Sequence, residues 1–592
     1  MLPHKQIELR LQSAVRAVLP DAAAGSILVQ PCPDPKFGDY QSNALMSLAK
    51  TRKLNPRQLA TDVLAKLDVG GLCEKVEIAG AGFLNFRLKN SALKQTLESA
   101  VRGEYLFFDQ AAQSRTIVID FSSPNVAKPM HVGHIRSTIL GDSLARTLRL
   151  LGHRVITDNH IGDWGTQFGM LLVGWKKHLD RAALDRDPIT EMERLYRKVN
   201  AASEADEPVR ERARQELVKL QSGDGENLKI WCEMISLSER QFDRIYARLG
   251  VKFDHTLGES FYNPRLNPLV EELRARGIAR ESEGALVIFL DDISQLKEHP
   301  ALIRKSDGGF NYTTTDLATL AYRLETWHPD EIIYVTDGRQ QLHFQQVFAA
   351  FRKWHSAPGT PPSALPKLAH VWFGSILGED GKTFKTRSGE TVKLSDLLDE
   401  AEERAYKIVS EKNPDLPEAQ RREIARVVGI GAVKYADLLP NRQSDYVFSW
   451  HKMLALNGNT APYLQYAYTR IQSIFRKGNV GQASRLSPSP VKEQSETGGT
   501  PVLLSAPEEI SLAKHLLNFG LTLEAVAEEY RPNFLCNYLY ELAGKFTAFY
   551  ENCPVLKAED STRTSRLALC DLTARVLKQG LNVLGIETAE QM

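Results

Sequence analysis

Two histidines three residues apart, His131 and His134, close the segment Pro124-Asn-Val-Ala-Lys-Pro-Met-His-Val-Gly-His134. Imidazole N–H groups at that spacing can donate to phosphate oxygens and tighten as charge develops during phosphoryl or nucleotidyl transfer. Lys128, just upstream, supplies a flexible cation that could follow a leaving phosphate. Gly133, without a Cβ, lets a nucleotide approach the backbone closely. With 14 His and 39 Gly in 592 residues, a chance His-x-Gly-His is expected in about 2% of such chains, so the tetrapeptide alone decides little. The pair could also cap and pack a helix start, or belong to a metal site. No Cys, Asp or Glu lies within the loop to complete a metal set.

The flanking residues specify what must hold this loop. Arg115 to Phe121 reads as a buried strand, β-branched and apolar. Ile135, Ile139, Leu140, Leu144, Leu148 and Leu151 recur at helical spacing, and Gly152 is a stop signal. His153 to Thr157 reads as a second strand. A loop between strand and helix in a parallel sheet lies at the carboxyl end of the strand, where ligands bind. The first amides of the helix are then expected to meet phosphate.

Composition bounds the rest. The chain has 592 residues, 43% hydrophobic and 25% charged, with a net charge of +1. That length needs several cores, and the neutral balance leaves any RNA surface to a local basic patch. Six scattered cysteines without a CxxC suit reduced thiols and not a disulfide framework or zinc ribbon. The first residues read as a charged amphipathic helix and not a signal peptide, and no apolar run is long enough for a membrane span, so a cytoplasmic protein without membrane contact is expected. Residues 1–108 look like a small α/β module, with Val76 to Leu88 as paired strands about Gly80 and Gly82. Residues 109–400 alternate strands and helices around a charged helical insertion at about 170–305, and strands are expected at 286–290, 331–336 and 370–373. Residues 401–455 read as connecting helices and 456–592 as a helical bundle, with helices at 424–439, 463–476, 511–530, 533–552 and 565–584. A polar loop interrupts that bundle at 477–508.

Several ordered blocks carry a resemblance over nearly the whole chain. Phe37 to Asn43 (FGDYQSN), the segment Pro124 to His134, Asn159 to Gly169 (NHIGDWGTQFG), Tyr312 to Ala318 (YTTTDLA), Arg339 to Gln346 (RQQLHFQQ), Gly458 to Ile471 and Leu539 to Leu556 are similar, in order, to blocks of the arginyl-tRNA synthetases, class I aminoacyl-tRNA synthetases. The resemblance implies an α/β fold: a Rossmann-like parallel-sheet catalytic domain with an insertion, a small α/β N-terminal domain before it, and an all-α anticodon-binding bundle after it. It implies that arginine and ATP give arginyl-adenylate, and that arginine then passes to the terminal adenosine of tRNA(Arg). The implied partners are tRNA(Arg), L-arginine and ATP. Mg2+ would accompany the ATP without a dedicated protein site, and a monomer is expected.

Carried over position by position, the resemblance assigns catalysis to Lys128, His131 and His134. It assigns ATP binding to Pro124, Asn125, Val126, Ala127, Lys128, Pro129, Met130, His131, Val132, Gly133 and His134. A guanidinium is planar, always charged and suited to a carboxylate. Asp316, four residues after Tyr312 and so on the same helical face, is the leading partner, although a helix-start cap after Thr313 to Thr315 would also account for it. Asp120, Asn125 and Gln340 match substrate-contacting positions, and Glu259 is a second guanidinium candidate. Phe83, Asn85, Tyr463 and Tyr466 are the tRNA-binding candidates. Two departures stand out. The Lys-Met-Ser-Lys-Ser signature of class I is replaced by Phe384-Lys-Thr-Arg-Ser-Gly389, which leaves Lys385 and Arg387 as its cations, and Asp120 stands where some members have Glu. A class I synthetase of another specificity, a small-molecule nucleotidylyltransferase and a non-catalytic tRNA-binding paralogue are the competing readings.

Overall fold

The computed structural model describes residues 1–356, 365–382, 384, 392–478 and 502–592. At its centre, β1 (Thr116–Phe121), β2 (Arg154–Asn159), β3 (His255–Thr256), β4 (Glu331–Val335) and β5 (Lys367–His370) form one parallel sheet in the order β5-β4-β1-β2-β3. The strands are short and apolar on both faces, as a sheet covered by helices requires. Ile117, Val118, Ile119, Ile332, Ile333 and Val335 are all fully buried.

Three helices bring chemistry to the carboxyl edge of this sheet: α1 (Val132–Leu150) after β1, α2 (Tyr312–Trp327) before β4, and α3 (Gln341–His355) after β4. α1 packs so closely on β1 that a Cβ on Gly141 would lie 2.2 Å from Phe121 Cγ. The insertion supplies five helices between Gln167 and Leu249. A three-stranded antiparallel sheet (Arg280–Ser282, Ala285–Ile288, Ala301–Arg304) follows before α2.

The N-terminal module has a helix, Pro3–Val18, whose Ile7, Leu11, Ala14 and Val15 are buried at helical spacing. It packs with a four-stranded antiparallel sheet in which Cys73–Ala79 and Phe83–Leu88 pair across Gly80, at φ 53°. The C-terminal part is helical: Glu418–Leu438, Ala461–Lys477, Pro507–Leu516, Phe519–Glu529, Asn533–Asn552 and Asp560–Val583. No helix among the described residues is long and apolar enough to cross a membrane.

Two expected elements differ. The single helix expected at 511–530 is two, because the chain bends at Leu517–Asn518. Behind the bend, the Gly520 N–H donates to Phe107 O at 2.8 Å, and a Cβ at Gly520 would sit 2.6 Å from that oxygen. A tertiary contact with the interdomain linker therefore overrides continuous helical periodicity. The strand expected at 370–373 lies earlier, at Lys367–His370, where it pairs with Glu331–Tyr334. Residues 371–373 lead instead into the turn that receives Gly338 N–H on Phe373 O at 3.0 Å.

Candidate active site

The chain leaves β1 through a strained turn: Ser122 (φ 73°), Ser123 (φ 48°) and Ala127 (φ 59°) all sit in the left-handed region. Buried hydrogen bonds hold them there. Ser122 N–H donates to Ser137 Oγ at 2.8 Å, and Ala127 N–H donates to Ser238 Oγ at 3.0 Å. The loop also pairs with the segment after β2. Val126 N–H donates to Gly162 O and Gly162 N–H to Pro124 O, each at 3.0 Å. A Cβ on Gly162 would lie 2.2 Å from Asn125 Oδ1, so that glycine makes room for the Asn125 side chain.

The histidines do two jobs with their two nitrogens. His131 is the N-cap of α1: its Nδ1 accepts from Gly133 N–H at 3.0 Å, while His134 Nδ1 accepts from His131 N–H at 3.1 Å. Both Nδ1 atoms are thereby acceptors, so each neutral ring carries its proton on Nε2. The rings lie 4.0 Å apart, centroid to centroid. Burial, then the neighbouring His131, holds His134 well below its ordinary pKa, to about 3. Burial, then Arg339 and Lys128, lowers His131 as well. The pair is thus two neutral Nε2–H donors.

The helix amides, expected to meet phosphate, are instead occupied. Val132 N–H goes to Val392 O at 3.0 Å, Gly133 N–H to His131 Nδ1, and His134 N–H to His131 O at 2.8 Å. The missing Cβ of Gly133 accommodates the His131 ring, whose Cε1 would lie 2.8 Å from it. The segment that accepts from Val132 returns a bond, Leu394 N–H to Met130 O at 2.9 Å. That segment follows the second signature region in sequence, and its backbone bonds tie Val392 and Leu394 to the first signature loop. Lys385 and Arg387 themselves lie outside the described residues. Lys128 is exposed, its Nζ 5.5 Å from the centre of the Tyr196 ring on the insertion helix Pro188–Ala205.

A second group of residues converges beside this loop. Asp316, in the second turn of α2, is not a helix cap: Asn311 holds that position, and Asp316 Oδ2 instead takes His343 Nε2 of α3 at 2.5 Å. Glu259 sits in the turn Glu259–Tyr262 after β3, its N–H on Ile161 O at 3.1 Å. Burial, then the charges of Asp316 and Asp163, pushes its carboxyl up to about 8. Asp163 is anchored by Ser260, which donates from N at 2.8 Å and from Oγ at 2.5 Å. Gln340 is exposed at the turn before α3, and Tyr312 is 71% exposed at the start of α2. The corner therefore carries acid from α2 and from the turn after β3, as a cationic side chain would need.

Other candidates are placed differently. Asp120 is 4% exposed, and its oxygens already accept from Ser123 Oγ at 3.0 Å and from Arg323 at 2.6 Å. Each oxygen has one of its two acceptor sites taken, which leaves limited capacity for a substrate ammonium. Asn85 is 6% exposed in a strand between Gln41 and Glu77. Phe83 is half-buried, as is Tyr463, whose ring packs 5.7 Å from Tyr540, whereas Tyr466 is exposed. Arg323 and His343 are site-shaping residues that the sequence reading did not single out. His343 falls inside the RQQLHFQQ block, but nothing in the spacing pairs it with Asp316 across 27 residues. Among the described residues, no group of three His, Cys, Asp or Glu could hold a metal ion.

Three family models match in chain order: the arginyl tRNA synthetase N-terminal domain over residues 5–88, the class I (R) tRNA synthetase catalytic domain over 96–450, and the DALR anticodon-binding domain over 464–592. An arginine–tRNA ligase of Salmonella typhimurium is 49% identical over 562 residues, covering 94% of each chain. One of Shigella sonnei is 48% identical over the same length. Among solved structures, the arginyl-tRNA synthetase of Thermus thermophilus superposes with a TM-score of 0.82 at 25% identity, covering 100% of both chains. That of Plasmodium falciparum gives 0.79 at 28% identity, covering 100% of this chain and 99% of that one.

Proposed function

The chain belongs to the arginyl-tRNA synthetase family, class I ligases that join arginine to tRNA using ATP, and from that premise we propose which of its own residues carry the reaction. The observation that carries the reading is the acidic corner of Asp316 and Glu259 next to two neutral imidazole donors.

Arginine enters with its guanidinium between Asp316 and Glu259. Its carboxylate is directed toward the histidine loop by Asn125 and Gln340, with the remaining acceptor capacity of Asp120 available to the ammonium. A carboxylate oxygen attacks the α-phosphorus of ATP, forming the mixed anhydride while the bond to the β-phosphate oxygen breaks. Both reactants are anions, so the protein's contribution is alignment and charge stabilisation. The Nε2–H groups of His131 and His134 donate to phosphate oxygens, and Lys128 follows the departing pyrophosphate, with Lys385 and Arg387 as the further cations. A hydroxyl of the terminal adenosine of tRNA(Arg) then attacks the activated carbonyl and AMP leaves.

The steps above use this chain's own residues. Mg2+ bound to ATP, a cytoplasmic monomer and the division into units 1–108, 109–400, 401–455 and 456–592 are parts of the same proposal. So is tRNA contact through Phe83, Asn85, Tyr463 and Tyr466. The test is charging of total bacterial tRNA with labelled arginine, lysine or glutamine. Arginine alone is the expected substrate, and charging with either of the others would refute the assignment of Asp316 and Glu259.

A further inference from the structure

The arginine corner contains a titratable side chain that the reaction does not use. His343 lies in the first turn of α3 and contacts Asp316 in the second turn of α2, Nε2 to Oδ2, at 2.5 Å. Both side chains are half-buried, 28% and 17% exposed. The other charges around this corner are accounted for from each element. Glu259, after β3, feels the charges of both Asp316 and Asp163. His370 of β5 bonds Thr336 Oγ1 at 2.7 Å, and its basicity is lowered by burial, Arg442 and His343. Asp337 and Arg339, in the turn before α3, hold each other through two contacts of 2.8 and 2.9 Å. Arg323 is taken up by Asp120 and Asp158. Among the described residues, the basic group paired with Asp316 is therefore an imidazole.

A corner built for a guanidinium has to be stable while empty. Carboxylates gathered in partly dry surroundings repel one another, and they ionise together only if a cation or a proton joins them. Resting on the assignment of the guanidinium to Asp316, we propose that His343 is a positioning residue whose imidazolium stands in for the substrate cation. It neutralises Asp316 in the empty site, turns Oδ1 toward the pocket, and gives up its proton when arginine arrives. Burial opposes charge on this ring, yet the bond to Asp316 and its charge outweigh burial and leave the ring more basic than an ordinary histidine. Glu259, protonated near neutrality when the site is empty, ionises as the guanidinium approaches and releases a proton as well.

The sign follows from linkage. Each group has a higher pKa in the empty site than in the filled one, so arginine binding releases protons and strengthens as pH rises between those two values. Above the empty-site values the affinity is flat. The His343 part of this rise starts from a ring already more basic than an ordinary histidine, and the Glu259 part extends to about 8.

Calorimetric titration of the full chain with arginine, in two buffers of different ionisation enthalpy between pH 6 and 8.5, counts the protons. The unmodified chain should release at least one near neutral pH; release of none overturns the proposal without any variant. His343→Gln keeps an Nε2 donor but cannot titrate. It should bind arginine within about threefold of the unmodified chain and release up to about one proton fewer within the range. Release equal to that of the unmodified chain at every pH would overturn the role of His343. His343→Ala, which loses the charged hydrogen bond, should raise KM for arginine about tenfold or more with kcat little changed. An equal fall in kcat with KM unchanged would contradict a positioning role. Failure of the underlying reading is distinguishable, because then the unmodified chain would charge tRNA with an amino acid other than arginine.

Discussion

Arg323→Met tests whether the acidic corner is held in place from beneath. Arg323 is fully buried, with one nitrogen 2.6 Å from Asp120 Oδ2 and 2.8 Å from Asp158 Oδ2. It ties α2 to both β1 and β2, and it lies two turns along α2 from Asp316, on the same face. Methionine fills similar space but leaves two carboxylates in a dry interior. Breaking a buried pair by removing one partner typically costs about 3–5 kcal/mol. An independent route agrees: if one carboxyl escapes by taking a proton, and this needs a shift of about three pKa units to do so at pH 7, the cost is about 4 kcal/mol. Asp158 is the natural proton acceptor, since burial already raises it while Arg323 is the largest opposing influence. The variant's folded state should then bind a proton that its unfolded state does not, so its stability should recover as pH falls from 7.5 toward 5.5. Urea unfolding followed by tryptophan fluorescence at both pH values reads this directly, and Asp158→Asn added to Arg323→Met should restore part of the loss. Arginine KM should rise more than ATP KM, because α2 carries Asp316 while the histidine loop has its own anchors. A midpoint at pH 7.5 unchanged from that of the unmodified chain, or one that drops further in acid, would refute the reasoning.

Three other outcomes follow from the same geometry. Gly162→Ala places a Cβ where Asn125 Oδ1 now sits, so kcat/KM for arginine should fall about tenfold or more with an unaltered circular dichroism spectrum, and Asn125→Ala in that background should add little. Lys128→Ala should lower turnover in aminoacylation while leaving ATP affinity nearly unchanged, since a cation that follows pyrophosphate acts in the transition state; a loss confined to ATP KM would contradict this. Asp316→Asn should cost about 1.5–3 kcal/mol in kcat/KM, or roughly 10- to 150-fold, and citrulline should compete poorly with arginine for the unmodified chain; equal efficiency with both substrates would remove the carboxylate from the recognition step.

Much of this architecture was legible because it is local. The strand–loop–helix unit around His131 is written in a β-branched run, a helical apolar spacing and a terminating glycine, and the structure places it as one unit from Thr116 to Asn159. The hairpin about Gly80 was legible for the same reason. The helix break near Leu517 was not, because its cause is a backbone contact with Phe107, some 400 residues away in sequence, that no periodicity encodes.

The histidine loop shows why residue types at the right spacing do not by themselves give a mechanism. The types and spacing pointed correctly to donors at a helix start, yet they could not say which donors remain free. That depends on Val392 claiming one amide and on the two Nδ1 atoms turning inward, and neither is a property of the motif. The consequence is chemical: the backbone amides are spent on fixing the two rings, and the rings present their Nε2–H groups from orientations set by those bonds. The acidic corner carries the same lesson in charge. Asp120, Asp158, Asp316 and Glu259 are alike in sequence, but Arg323 neutralises the first two, His343 the third, and a proton the fourth. On the proposal above, only the last two arrangements can be exchanged for a guanidinium, whereas the ion pairs of Asp120 and Asp158 with Arg323 hold α2 to the sheet.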